Sequence, residues 1–240
     1  MPGQELQTHD LMVESPEVTL RAILTMPRGA QSVVLFAHGA GGNRHSARNQ
    51  YIAQRLQETG FATLLIDLLT EQEERIDAYT ARLRFDIPLL AGRLESVTGW
   101  VLAQPRMKNF DIGYFGADTG AAASLVAAIQ RPEAVRAVVG QGARPDLAFN
   151  ILPEVKPPVQ FIVGGKDPIV LEINRNACKR LTTEHSLVVI PGASHRFEES
   201  GKLDTVARRA QRWFARHMKT CEEAFGVGNA HRWTGSHADA

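Results

Sequence analysis

Asp118, Asp167 and His195 are the side chains of this sequence whose surroundings point to chemistry. In "IGYFGADTGAAASL" an apolar run leads into Gly-x-Asp-x-Gly and then into an alanine-rich stretch of helical composition. A strand that ends in this way and opens a helix makes a strained turn, which lifts its central side chain above the edge of a sheet. Flanking glycines keep such a turn clear of its neighbours, and aspartate tolerates comparatively well the positive φ that the central residue commonly adopts. The elbow motif carries a nucleophile at its centre, normally serine or cysteine, and here that place holds Asp118. Aspartate is also a favoured helix N-cap, so the turn alone leaves both roles open.

Two downstream stretches extend the pattern. "FIVGGKDPIV" puts Asp167 just past a buried strand, and "LVVIPGASHRFEE" puts His195 in the loop after the next one. The chain order is elbow, acid, histidine, the order in which strand-to-helix elbows acquire a triad at one end of a sheet. Asp167 would then accept a hydrogen bond from one imidazole nitrogen, leaving the other as general base. Taken singly, Asp167 also suits a cap for the helix starting near Pro168, and His195 a surface histidine. A fourth stretch, "FAHGAGGNRHSARN", places glycines after another strand, where one donor of an oxyanion hole belongs. The expected donors are the amides of Ala40 and Thr119. The competing reading as a phosphate loop lacks both G-K-[ST] and G-x-G-x-x-G. Arg44, Arg48, Arg82 and Arg84 are candidates for an anionic substrate at the mouth, against the commoner role of surface charges. No H-E-x-x-H motif or Cys/His cluster suggests a metal, although the chain holds eight histidines.

These residues need a scaffold that brings strand ends together. From "SVVLFAHG" onward, short continuous apolar runs alternate with stretches of helical length, which predicts a parallel sheet wound with helices. The strand candidates are Ser32 to His38, Phe61 to Asp67, Asp111 to Gly116, Val135 to Gly140, Val159 to Gly164 and Ser186 to Ile190. Helices are expected over Ser46 to Glu58, Thr80 to Ala103, Thr119 to Gln130, Pro168 to Leu181 and Leu203 to Met218. Ahead of them, "LQTHDLMVES" and "EVTLRAILTMP" read as an antiparallel hairpin at one edge. The acidic run "TEQEER" reads as a solvated loop or the beginning of a helix. One domain over 1–218 is expected, followed by a tail over 219–240 in which Trp233 is the one candidate anchor.

Composition narrows the partners. The 240 residues are 44% hydrophobic and 22% charged, enough for one sizeable core. The net charge of +1, from 27 basic and 26 acidic residues, favours neither nucleic acid nor an anionic membrane. No run approaches the roughly 18 apolar residues of a membrane span, and "MPGQELQTHD" has no signal-peptide form. Cys178 and Cys221 form no CxxC pair and suit free thiols. The expectation is a cytoplasmic protein that takes a small-molecule substrate without a cofactor, with a homodimer left open.

Taken together, "AHGAGGNRHSARNQYIA", "TLLIDLLT", "YTARLRFDIPLLAGRL", "IGYFGADTGAAASL", "VVGQGARPDL", "FIVGGKDPIV" and "VVIPGASHRFEE" resemble the α/β-hydrolases. More narrowly they resemble the dienelactone hydrolase-like group, including hydrolase domains fused to phosphoribosyltransferases. The resemblance runs from about Val18 to Met218. It implies an α/β-hydrolase fold: a mostly parallel eight-stranded sheet, an antiparallel N-terminal edge, helices on both faces and no large cap domain. It also implies ester or lactone hydrolysis through a nucleophile, His195 and Asp167. Asp118 departs from the family's serine or cysteine, which leaves three outcomes: a weak esterase, a hydrolase acting at saturated carbon through an alkyl-Asp118 ester, or a binder on a hydrolase scaffold. For the second, "QGARPDLAFNILPEVKPP" is too short for the helical lid usual in aspartate-nucleophile relatives, and Thr119 stands where they tend to carry tryptophan.

Overall fold

The computed structural model describes residues 5–39 and 41–220. Among the described residues eight strands, numbered in chain order, form one sheet in which they lie as β1 (Leu6–Glu14), β2 (Thr19–Pro27), β4 (Ala62–Ile66), β3 (Ser32–Ala37), β5 (Asp111–Ala117), β6 (Val135–Gln141), β7 (Val159–Gly164) and β8 (His185–Ile190). The hairpin is β1 and β2, antiparallel with Leu6 opposite Pro27, and β2 also runs antiparallel to β4. The remaining pairs are parallel: β3 lies between β4 and β5, and β6, β7 and β8 follow outward. This is the α/β-hydrolase fold.

The continuous apolar runs follow from coverage on both faces. On β3, Val33, Leu35 and Ala37 enter one core with residues of α3 (Ile87–Ala103) and α4 (Thr119–Gln130), while Val34 and Phe36 enter a second with α1 (Ala47–Gln57) and α6 (Lys202–His217). Successive side chains point to opposite faces, so a strand buried on both sides has no polar position to alternate with. Each fully buried Leu or Phe contributes about 1.5–3 kcal/mol.

The helix expected over Thr80 to Ala103 starts only at Ile87, and a separate helix and a short connector precede it. Helix α2 (Glu71–Thr80) ends at Ala81, which adopts φ 51 and returns its N–H to Asp77 O at 2.8 Å. A 3₁₀ turn, Leu83–Phe85, leads to Asp86, whose side chain caps α3 by accepting from Leu89 N at 3.0 Å, with Pro88 in the first turn. The signals missed were an Asp-x-Pro helix start and the cap ahead of "EQEER". There Thr70 and Glu73 form a reciprocal capping box, so the acidic run begins α2. Helix α5 is Pro168–Cys178, three residues shorter than expected. Lys219, assigned to the tail, is tied to the sheet: its N–H donates to Asp111 at 3.0 Å and its carbonyl accepts from Ser32 Oγ at 2.6 Å. Trp233 lies outside the described residues.

Candidate active site

Strand β5 delivers Asp118 to the C-terminal edge of the sheet at φ 50 and ψ −119, and α4 begins with the next residue. Its side chain makes no capping hydrogen bond, so the simple N-cap role does not apply. The backbone is fixed instead. Asp118 N–H donates to Gln141 O at 3.1 Å, and its carbonyl accepts from Ala121 N and Arg144 N, each at 3.2 Å. A non-glycine residue held in such a conformation costs about 1–3 kcal/mol and needs surroundings that over-determine it. The glycines supply that constraint: a Cβ on Gly116 would lie 2.4 Å from Ala121 Cα, and one on Gly120 2.2 Å from Ala37 O. Both contacts are to backbone, so the elbow can pack against β3 and its own helix only without side chains at these positions.

Asp167 and His195 meet as expected from chain order. Asp167 follows β7, and its carboxylate divides its work: Oδ1 accepts from Val170 N at 3.2 Å, capping α5, while Oδ2 faces His195 Nδ1 at 2.8 Å. Asp167 therefore caps α5 and meets His195 at the same time. Paired with a carboxylate oxygen, Nδ1 is the donor of this bond, and Nε2 is the ring nitrogen left facing away from the acid. The His195 side chain is 43% exposed and that of Asp167 15%, so the histidine stands at the mouth with the acid beneath it. Its loop is anchored by buried Phe197 and by Glu199, which accepts from Ser194 N at 3.0 Å.

The glycine loop after β3 lies over the elbow. A Cβ on Gly39 would sit 2.8 Å from Asp118 Cβ, and Gly42 N–H closes a turn onto Gly39 O at 3.0 Å. Buried His38 holds the start of this loop: Nε2 accepts from Leu68 N–H at 3.2 Å, so Nδ1 is the donor to Gly39 O at 3.1 Å. Burial pushes the His38 pKa down against the opposing pull of Gly39 and Asp67, which keeps the ring neutral in this bridging role. Thr119 is buried as the first residue of α4, where an amide has no intrahelical acceptor. Ala40, the other expected donor, lies outside the described residues.

Two adjoining cavities, or lobes, share Gly39 and Gly42 in their linings. The smaller, about 90 Å³, is lined by Asp118, His195, Gln141, Arg48 and Arg196 among others. The larger, about 200 Å³, is lined by Thr119, the glycine loop, Leu69, Leu90, Glu74, Asp77, Ala78 and Arg84. The candidate anion-binding arginines separate on this map. Arg44 pairs with buried Asp67, which also accepts from Arg44 N at 2.6 Å, and it lines neither lobe. Arg82 is exposed and lines neither. Arg84 reaches the larger lobe already bound, with Nε to Asp77 Oδ2 at 2.6 Å and Nη2 to Asp77 O at 2.9 Å. Burial raises the Asp77 pKa, but the hydrogen bonds from Arg84 and Leu83 outweigh it and hold the carboxyl below its ordinary value. Arg48 lines the smaller lobe with Asp118 and Arg196, its Nη1 on Arg196 O at 3.3 Å. Burial and the Arg196 charge lower its pKa, partly offset by Glu198.

Sequence reasoning missed Glu74, which sits within "TEQEER". Glu74, Asp77 and Ala78 are spaced i, i+3, i+4 on α2 and line the larger lobe together, a periodicity visible once α2 is recognised.

Residues 20–225 match the model of the dienelactone hydrolase family. The chain belongs to that family. It is 48% identical over 213 residues to a Mycobacterium tuberculosis protein whose name proposes a phosphoribosyl transferase, a match covering 89% of this chain and 47% of that protein. The chain therefore spans about half the length of this curated relative. A solved dienelactone hydrolase from Anabaena variabilis is 51% identical, with a TM-score of 0.87, covering 89% of this chain and 99% of that one. Est1E from Butyrivibrio proteoclasticus shares the fold at 16% identity, with a TM-score of 0.73 over 86% of this chain and 98% of its own. Among the described residues, no helix is long and apolar enough to cross a membrane.

Proposed function

We propose that this chain is a hydrolase for small esters or lactones, with Asp118, His195 and Asp167 as its reacting set, and that aspartate at the elbow keeps ester turnover low. The observation that supports this reading most directly is the 2.8 Å hydrogen bond between His195 Nδ1 and Asp167 Oδ2, beside a cleft that Asp118 and His195 both line. Nε2 of His195 then takes the proton of water or of a hydroxyl nucleophile, and the amides of Thr119 and the glycine turn receive the oxyanion.

Carboxylate chemistry explains the low turnover. When Asp118 attacks an ester carbonyl, the tetrahedral adduct must expel an alkoxide to go forward but only a carboxylate to go back. Collapse to starting ester dominates, and activated esters suffer least. Attack at saturated carbon is not favoured by any feature of the cleft: β6 and β7 are joined by the ten-residue 3₁₀ segment Pro145–Glu154 and short flanks rather than by a helical lid. The transferase name of the mycobacterial relative is not carried over, because this chain spans 47% of it.

Asp118→Ser tests the proposal. Serine would give His195 a hydroxyl to deprotonate, and hydrolysis of p-nitrophenyl acetate should rise about a hundredfold or more over the parent, the scale set by oxyanion-hole donors alone. Asp118→Ala should show no such gain, staying at or below the low parent level. A folded serine variant without gain refutes the reading, and a parent that turns over haloacids or epoxides moves the chemistry to saturated carbon.

A further inference from the structure

The larger lobe presents one carboxylate without a partner. The Glu74 side chain forms no hydrogen bond or ion pair among the described residues, whereas Asp77 is held by Arg84, Asp67 by Arg44 and Glu73 by Arg93. Leu69, Leu90 and Ala78 supply apolar wall beside it, and Thr119 joins the lobe to the elbow. With Arg84 neutralised by Asp77, an entering anion would find no free cation there and would meet the Glu74 charge.

We propose that this lobe selects substrates carrying a compact protonated amine, with Glu74 as the residue that determines the specificity. The inference rests on the hydrolase reading for the orientation of substrate, which puts the reacting carbonyl at the elbow and the amine-bearing arm in the larger lobe. A tertiary ammonium matches the site on three counts: its N–H donates to the Glu74 carboxylate, its methyl groups meet the leucines, and its size suits about 200 Å³, below the usual range for drug-sized ligands. Burial and the nearby Asp67 charge raise the Glu74 pKa, partly offset by Arg44, so an entering cation would favour the ionised carboxylate that these surroundings oppose.

The test compares two isosteric alcohols, 2-(dimethylamino)ethanol and 3-methylbutan-1-ol, by NMR titration of backbone amides near pH 7. The ammonium alcohol should bind the parent about tenfold more tightly, the scale of one charge-assisted hydrogen bond. Glu74→Gln should erase that preference while leaving the neutral alcohol's affinity unchanged, and Glu74→Asp should retain part of it. Equal affinities in the parent, or an undiminished preference in a folded Glu74→Gln, overturn the proposal. Because binding is read without turnover, an inert Asp118→Ser variant beside an intact Glu74-dependent preference refutes the hydrolase reading alone.

Discussion

Adding one methyl group at Gly120 should damage the elbow more than a change of that size would elsewhere in α4. An alanine Cβ there would lie 2.2 Å from Ala37 O, 2.5 Å from His38 O and 2.7 Å from Ala37 C. All three are backbone atoms of β3 and the following loop, so no rotamer change relieves the overlap and the helix must move from the sheet. Overpacking costs about 1–3 kcal/mol, and backbone contacts put this site near ~3 kcal/mol. At about 2–4 °C per kcal/mol for a chain of this size, Gly120→Ala should melt about 6–12 °C below the parent. Gly92 in α3 is the control, since a Cβ there meets nothing within 4 Å. Gly92→Ala should gain about 0.5–1 kcal/mol from helix propensity, or about 1–4 °C. Melting curves by circular dichroism, with urea midpoints as a second measure, decide the matter. A Gly120→Ala protein that melts within about 2 °C of the parent would refute the close contact that fixes Asp118.

Other outcomes follow from single groups. Hydrogen bonds from Arg93 pull the Glu73 carboxyl down from 4.5 to about 2, against partial burial. A depressed folded pKa gives stability that is complete above the unfolded pKa and is lost as pH falls through the folded one. The parent should therefore lose this contribution between about pH 4.5 and 2, and Glu73→Gln should flatten that part of the melting-temperature profile. Burial raises the Cys178 thiol pKa. Peptide mapping after iodoacetamide treatment at pH 8 should show Cys178 alkylated more slowly than glutathione in the same tube, and an equal rate would contradict its burial. The ester gain in Asp118→Ser and the amine preference lost in Glu74→Gln complete the set.

Much of this site was legible in the chain because it is local. Gly116, Asp118 and Gly120 declare the elbow within five residues, since the strand, the strained turn and the helix follow one another along the backbone. Asp167 and His195 were found for a related reason: in a parallel sheet each strand ends at the same edge, so a residue just past a strand is carried to the cleft whatever its distance in sequence. The buried strands announced themselves by continuous apolar runs, as coverage on both faces requires. The helix break near Ala81 was less legible, because an alanine in the left-handed region gives no compositional signal.

Tertiary structure alone decided what each charge is for. Nothing in "TARLRFD" or "NRHSAR" says that Arg84 is held by Asp77 or that Arg44 is held by Asp67 from the loop after β4. Glu73 and Glu74 are neighbours of the same type, yet one caps α2 and binds Arg93 while the other faces the larger lobe unpaired. Backbone periodicity is a property of neighbouring residues and can be read along the chain. An ion pair depends on which side chains from distant segments arrive within a few ångströms, and that is fixed only when the sheet and its helices are packed.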